Sequence, residues 1–206
     1  MVKKAIYPKT KRVSCVGKLI QITEKLDGSN LCFFKKNDKL YLAQRNTIIG
    51  FDELEECKSL IYKGLYQWLQ DNMEMLQTIR NNSVVCGEWI GMGKLKYPVD
   101  EFDKRFYMFA KANIDDEFKL YNIQYNHEHF IYPFEDLVIP KCIGVVPVAY
   151  EVPYLPDKQN LDVLYAKYCE KVGRDVEGFV INNNDHIEKY VRMKNGKLAE
   201  HFDRGE

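Results

Sequence analysis

With 206 residues, 46% of them hydrophobic and 29% charged, the sequence has room for one large domain or two small ones and reads as an ordinary soluble globular chain. Thirty basic side chains balance thirty acidic ones, so overall charge does not advertise nucleic-acid binding. No run approaches the roughly 18 apolar residues of a membrane span. The start "MVKKAIYPKTKRV" lacks an apolar signal-peptide core, so no secretion and a cytoplasmic location are expected.

Residues 1–18 carry Lys3, Lys4, Lys9, Lys11, Arg12 and Lys18 without an acidic residue, which suits a phosphate-contacting edge or a solvated basic terminus equally. Leu19-Ile20-Gln21-Ile22-Thr23 reads as a half-buried strand that runs into a turn at Asp27-Gly28-Ser29. Residues 31–45 read as a hairpin around Asn37-Asp38. Residues 51–80 form the longest helical pattern, with Asp52 as its cap and Leu54, Leu60, Ile61, Leu65, Trp68 and Leu69 near helical spacing. Strands are expected at 83–91 and 105–114, with 118–123 pairing back from the Asp115-Asp116 turn. Residues 128–137 are ambiguous. A strand at 143–152 precedes a helix at 160–173 that ends at Gly173, and 176–182 with 188–196 look like a closing strand pair. Interspersed helices and largely antiparallel strands imply an α+β fold, with sheets packed on one another and helices outside.

The six cysteines show no CxxC spacing and read as reduced thiols. His127 and His129 in "NHEH" read as exposed loop or helix-end side chains rather than a metal pair. Four charged positions fall at strand ends or inside strands: Lys25, Glu88, Glu177 and Lys194. Glu88 in "CGEWIG" and Glu177 in "VEGFVI" each adjoin a glycine within an apolar run, where a ligand or another backbone can approach closely. A buried carboxylate needs a cation. Two carboxylates and two bases in such settings suggest a polar cleft walled by sheets, with carboxylates that hold Mg²⁺ (or Mn²⁺) together with substrate phosphates.

These stretches also carry a resemblance. "EKLDGSN" (24–30) resembles the Lys-x-Asp-Gly motif of the covalent nucleotidyltransferases, the superfamily of ATP-dependent ligases and mRNA-capping enzymes. "CGEWIG", "FYMFAKAN", "EGFVI" and "KYVRMKNG" resemble the later motifs in the expected order, spanning residues 21–196. Asn30 stands where DNA ligases and capping enzymes usually have arginine, and Glu24 precedes the lysine. That version is similar to RNA ligases of the T4 RNA ligase 2 type.

The resemblance implies an ATP-grasp-like nucleotidyltransferase fold, with mainly antiparallel sheets flanked by helices around a central nucleotide cleft. It implies ATP and a divalent metal as cofactors and RNA ends, with DNA ends as the alternative, as partners of a monomer. Lys25 would be the nucleophile that becomes linked to AMP, Asp27 would arrange it, and Lys194 would touch the α-phosphate. Glu24 would lie against the adenine edge, Arg45 would bind near the sugar and phosphate, and Asn30 would also contact the nucleotide. Phe109 would stack on adenine, although Ala110 follows it where many relatives have aspartate. Glu88 would contact the ribose or shape the metal site, Glu177 would bind the metal, and Arg192 would clamp phosphate in place of a lysine. "GMGKLKY" (91–97) is too short for a P-loop and reads as a loop at the cleft mouth, with Lys94 and Lys96 near the polynucleotide.

Only ten residues follow Gly196, room for neither an OB-fold nor a helical C-terminal domain. The expectation is one nucleotidyltransferase domain over residues 1–206, of a compactness that suits a virus. Its expected function is that of an ATP-dependent RNA ligase, through lysyl-AMP, AMP transfer to a 5′-phosphate and sealing. The alternatives are a minimal DNA ligase, an mRNA guanylyltransferase, and a non-catalytic nucleotide- or RNA-binding module on the same fold.

Overall fold

A computed structural model describes residues 11–12, 20–125, 139–154, 156–182, 187–194 and 197–198, of which 11–12, 194 and 197–198 are described by backbone alone. His127 and His129, the ambiguous 128–137 segment and most of the basic N-terminal stretch lie outside these residues. The chain divides into two compact units. One comprises the described parts of Gly28–Met92 and Pro98–Val145, the other those of Lys9–Asp27, Gly93–Tyr97 and Val146–Glu206.

Strand β1 (Lys11–Arg12) and strand β2 (Ile20–Lys25) belong to the second unit. The first unit begins with β3 (Gly28–Lys36) and β4 (Lys39–Gln44), a hairpin whose Asn37 and Asp38 both take positive φ, 49° and 59°. Two left-handed residues in a two-residue loop match the twist of the flanking strands, which is why Asn-Asp serves here. Strands β5 (Thr47–Gly50), β6 (Ser83–Ile90), β7 (Phe106–Ile114) and β8 (Leu120–Gln124) complete the antiparallel path β5-β4-β3-β6-β7-β8, and β9 (Ile143–Val145) runs parallel to β7.

The helix expected over 51–80 is shorter. Helix α1 covers Leu65–Leu76 and starts after Gly64, whose left-handed φ of 79° breaks any continuous helix through it. Upstream lie two short 3-10 turns, Phe51–Glu53 and Lys58–Leu60. Asp52 lies inside the first of these turns rather than at the N-cap of a long helix, and its carboxylate pairs with Lys39 at 3.1 Å. Leu54 and Ile61 still reach the core beneath α1, with Leu31, Phe33, Leu65, Leu69 and Trp89, while Leu60 is exposed.

In the second unit β10 (Val148–Val152), β11 (Gly178–Asn182) and β12 (Ile187–Val191) join β1 and β2 in the order β1-β12-β11-β2-β10. Beyond them β13 (Met193–Lys194) pairs with β14 (Lys197–Leu198). The strand expected over 143–152 is therefore two strands in two different sheets. Pro147 separates them: it has no N–H to continue a ladder, and its carbonyl turns to accept the Glu24 amide at 2.9 Å.

Helix α2 (Lys158–Val172) packs on this second sheet through Leu161, Tyr165 and Tyr168. Tyr150, Tyr165, Tyr168 and Tyr190 surround the buried ring of Phe179 at centroid distances of 5.8–6.0 Å. Each tyrosine tip finds an acceptor: the Leu164 and Val176 carbonyls, Glu24 and Asp162. That is how so aromatic a core remains satisfied. The Asp157 side chain accepts the Asn160 amide at 2.8 Å and caps α2. Asp157→Ala should lower stability by about 1 kcal/mol, read as a lower urea midpoint with an unchanged m-value.

The expected α+β class with mainly antiparallel sheets is what the structure has. Among the described residues no helix is long and apolar enough to cross a membrane.

Candidate active site

Lys25 closes strand β2. Its neighbour across the ladder on β11 is Gly178, so no side chain stands beside it in the sheet. Gly178 has a φ of 154°, and a Cβ there would meet the Tyr190 carbonyl oxygen at 1.9 Å; only glycine fits. The Lys25 Nζ lies 2.6 Å from the Glu177 carboxylate, both side chains being mostly buried. Burial pushes the Glu177 carboxyl above its usual range, and the Lys25 ammonium only partly opposes that shift. The Glu177 carbonyl accepts the amides of Arg192 and Met193 at 2.8 and 2.9 Å, which ties the "EGFVI" and "KYVRMKNG" motifs together.

Glu24, expected at an adenine edge, is engaged by protein groups in this structure. It is 1% exposed and shares the α2 side of β2 with Ile22, whereas alternation turns Lys25 to the opposite side. Arg174 forks its two carboxylate oxygens at 2.7 and 2.8 Å, and the Tyr168 hydroxyl donates to it at 3.1 Å. The Arg174 guanidinium also lies 5.7 Å from the centre of the Tyr97 ring.

Asp27 spends its side chain on the segment Gly93–Tyr97. One carboxylate oxygen accepts the Lys94 and Leu95 amides at 2.6 and 2.9 Å, and the Asp27 amide donates to the Tyr97 hydroxyl at 2.5 Å. Burial raises the Tyr97 phenol well above its ordinary range, and the charges of Glu24, Asp27 and Glu177 push the same way. Arg192 reaches back to α2, 3.3 Å from Asp162 and 5.9 Å from the centre of the Tyr165 ring. Lys194 is in strand β13, and its side chain is outside the described set.

In the first unit Asn30 and Glu88 are cross-strand partners on one face of the sheet, in line with the buried pair Cys32 and Cys86. Phe109 occupies a bulge. Pairing shifts from Cys86↔Ala110 to Gly87↔Met108, and Phe109 is the residue left over. It is half-buried against the same small-residue floor. Arg45, exposed after β4, neighbours Tyr62, whose hydroxyl bonds to the Arg45 backbone and the Ser29 side chain. Burial raises the Tyr62 phenol, and the Glu88 charge adds to that. Gln44 sets Tyr62 there by donating to the Leu60 carbonyl at 2.8 Å and accepting the Tyr62 amide at 3.1 Å.

The motif residues thus fall into two groups. Lys25, Asp27, Glu177 and Arg192 share the second unit; Asn30, Arg45, Glu88 and Phe109 share the first. Arg174, Tyr97, Tyr168 and Tyr62 were not found from the sequence, since no spacing marks them. Among the described residues no three His, Cys, Asp or Glu side chains gather closely enough to cage a metal alone.

The model of the family described as RNA ligase matches residues 18–195. The chain belongs to the RNA ligase family. No curated protein matches it. Among solved structures, this RNA ligase chain resembles an apo mutant of the Naegleria gruberi RNA ligase, with a TM-score of 0.56 and 19% identity over 85% of this chain and 49% of that one. Another Naegleria gruberi mutant, with ATP and Mn, gives a TM-score of 0.58 at 17% identity over 92% of this chain and 58% of that one. An archaeal ATP-dependent RNA ligase gives 0.52 at 14% identity over 90% and 48%. At such identities the likeness is one of fold, and this RNA ligase chain spans about half the length of the solved structures it matches.

Proposed function

We propose that this domain is the adenylyltransferase of an ATP-dependent RNA ligase. The observation that carries the reading is the Lys25–Glu177 pair at a sheet position cleared by Gly178. An amine attacks only without its proton, so the ion pair must part before reaction. Lys25 Nζ gives its first proton to solvent water as the pair parts. It then bonds to the α-phosphorus of ATP, the bond to pyrophosphate breaks, and the nitrogen releases a second proton to solvent. Next, an oxygen of an RNA 5′-phosphate attacks the same phosphorus, the N–P bond breaks, and Lys25 regains a proton. Finally a 3′-hydroxyl attacks the 5′-phosphate and AMP leaves.

Glu177 would hold a divalent metal, which would supply positive charge to the phosphoryl oxygens; Glu88 is assigned to the ribose or the metal by motif resemblance alone. A mostly buried carboxylate beside Lys25 fits that use, since Mg²⁺ takes one or two protein carboxylates and completes its shell with water and phosphate. Glu24 supports the nucleophile's strand through Arg174, and its place at the adenine edge is assigned by motif resemblance. Asp27 arranges the turn and the segment that borders it. By motif resemblance Arg45 is assigned the nucleotide's sugar and phosphate, Phe109 its base, Asn30 a further contact with it, and Lys194 and Arg192 its phosphates.

The test is incubation with α-labelled ATP and Mg²⁺ or Mn²⁺, then joining assays on RNA and DNA ends. A labelled protein band with ATP and joined RNA support the reading; labelling by GTP alone would make the domain a guanylyltransferase. Glu177→Ala should slow adduct formation by about 10²–10³-fold, the scale of losing one electrostatic stabiliser, and should raise the metal concentration required. Adduct formation with parent-like metal dependence would remove Glu177 from the site.

A further inference from the structure

We propose that the segment Gly93–Tyr97 is a seat for the phosphates at the 5′ end of a single RNA strand, gripped by Lys94 and Lys96. The chain leaves the first unit after Met92, contributes five residues to the second, and returns at Pro98. Those five residues are fastened to the nucleophile's own turn. Asp27 accepts the Lys94 and Leu95 amides and donates its amide to Tyr97. Gly93 presses so closely on Asp27 that a Cβ would stand 2.2 Å from the Asp27 carbonyl oxygen. Tyr97 is in turn stacked near Arg174, which grips Glu24. Consecutive amides and a phenol held by one residue make a backbone whose ordering is complete before any ligand arrives, which spares binding that cost.

What this fixed backbone presents is positive charge. Lys94 and Lys96 are exposed while Leu95 between them and Tyr97 after them are half-buried. Neither ammonium pairs with a carboxylate among the described residues, and no acidic residue lies in 93–97. In a chain of zero net charge, two unneutralised lysines on a pinned segment form a local site for an anion. Lysine serves phosphate as a point charge that needs no fixed fork.

The choice of the 5′ end rests on the adenylyl-transfer reading. Asp27 follows Lys25 by two residues, so their Cα atoms are at most about 7 Å apart. A 5′-phosphate that takes AMP from Lys25 must come to that turn, and the phosphates following it then run beside whatever is bonded to Asp27.

The experiment uses the double variant Lys94→Ala/Lys96→Ala and the parent, with a short single-stranded RNA bearing either a 5′-phosphate or a 5′-hydroxyl. Binding is measured against salt without ATP. Transfer of AMP is then followed from purified protein–AMP, so that charging does not enter. The parent should prefer the phosphorylated RNA, and the variant should lose most of that preference. The slope of log affinity against log salt should be shallower by about 1.4, two single-strand contacts at about 0.7 each. AMP transfer at subsaturating RNA should slow in step with affinity and recover at high RNA. Retained 5′-phosphate preference with an unchanged slope overturns the proposal, as does a parent that binds neither RNA. A parent that forms no adduct yet binds RNA through these lysines upholds the seat and refutes the adenylyltransferase reading.

Discussion

Lys25→Ala should abolish the covalent AMP adduct while leaving the fold intact. The adduct requires a bond from Nζ to phosphorus, and alanine offers no atom in its place. The fold should survive because the cost is local. Removing Lys25 leaves Glu177 without its ammonium partner, but burial already raises the affinity of that carboxyl for a proton, so it can go neutral instead of remaining a stranded charge. Lys25→Arg makes the second arm. It restores a cation to Glu177 but supplies a guanidinium that stays protonated near neutrality and cannot attack. Intact-mass spectra after ATP and metal should show AMP added to the parent and to neither variant, with all three sharing one urea transition within about 2 kcal/mol. An adduct on either variant would move the nucleophile elsewhere.

Arg174→Ala should be the most destabilising single change at the site. Glu24 is 1% exposed, and Arg174 holds both of its carboxylate oxygens. Deleting one partner of a buried ion pair leaves the other charge uncompensated, a loss of about 3–5 kcal/mol. Against a total stability of about 5–15 kcal/mol, that would leave much of the protein unfolded at modest urea. The cause can be separated from lost packing. Arg174→Met combined with Glu24→Leu removes both charges and keeps the volume, so it should recover most of the stability. If Arg174→Ala costs under about 1 kcal/mol, water reaches the carboxylate and the pair is no anchor.

The contrast between these two residues shows what was legible. Lys25 and Glu177 stand in short motifs whose neighbours, Asp27-Gly28 and Gly178, are themselves required by the local backbone, so the sequence carries the signal within five residues. Arg174 acquires its role from Glu24, 150 positions away, and Tyr97 acquires its own from Asp27, 70 positions away. No spacing encodes such meetings. The longest error in secondary structure has a local cause as well. Leu54 and Ile61 satisfy helical spacing, but two 3-10 turns bury them just as well, and Gly64 sets the true start of α1. In 143–152 the apolar run outweighed Pro147, where the ladder has to stop and the chain changes sheets.

That change of sheets also governs how the protein emerges from the ribosome. Strand β2 is made early, yet both of its ladder partners come late: β10 begins at Val148 and β11 at Gly178. At about 5–20 residues per second, the roughly 120 residues between β2 and β10 take on the order of 6–24 s to synthesise. For that interval Ile20 and Ile22, both buried in the finished protein, lie on a strand with two open edges. The first unit can close its sheet once Val145 has emerged, while β2 still waits. Slowing translation between β2 and β10 should therefore increase aggregation of the nascent chain, and a chaperone that covers extended apolar segments should find its principal target there.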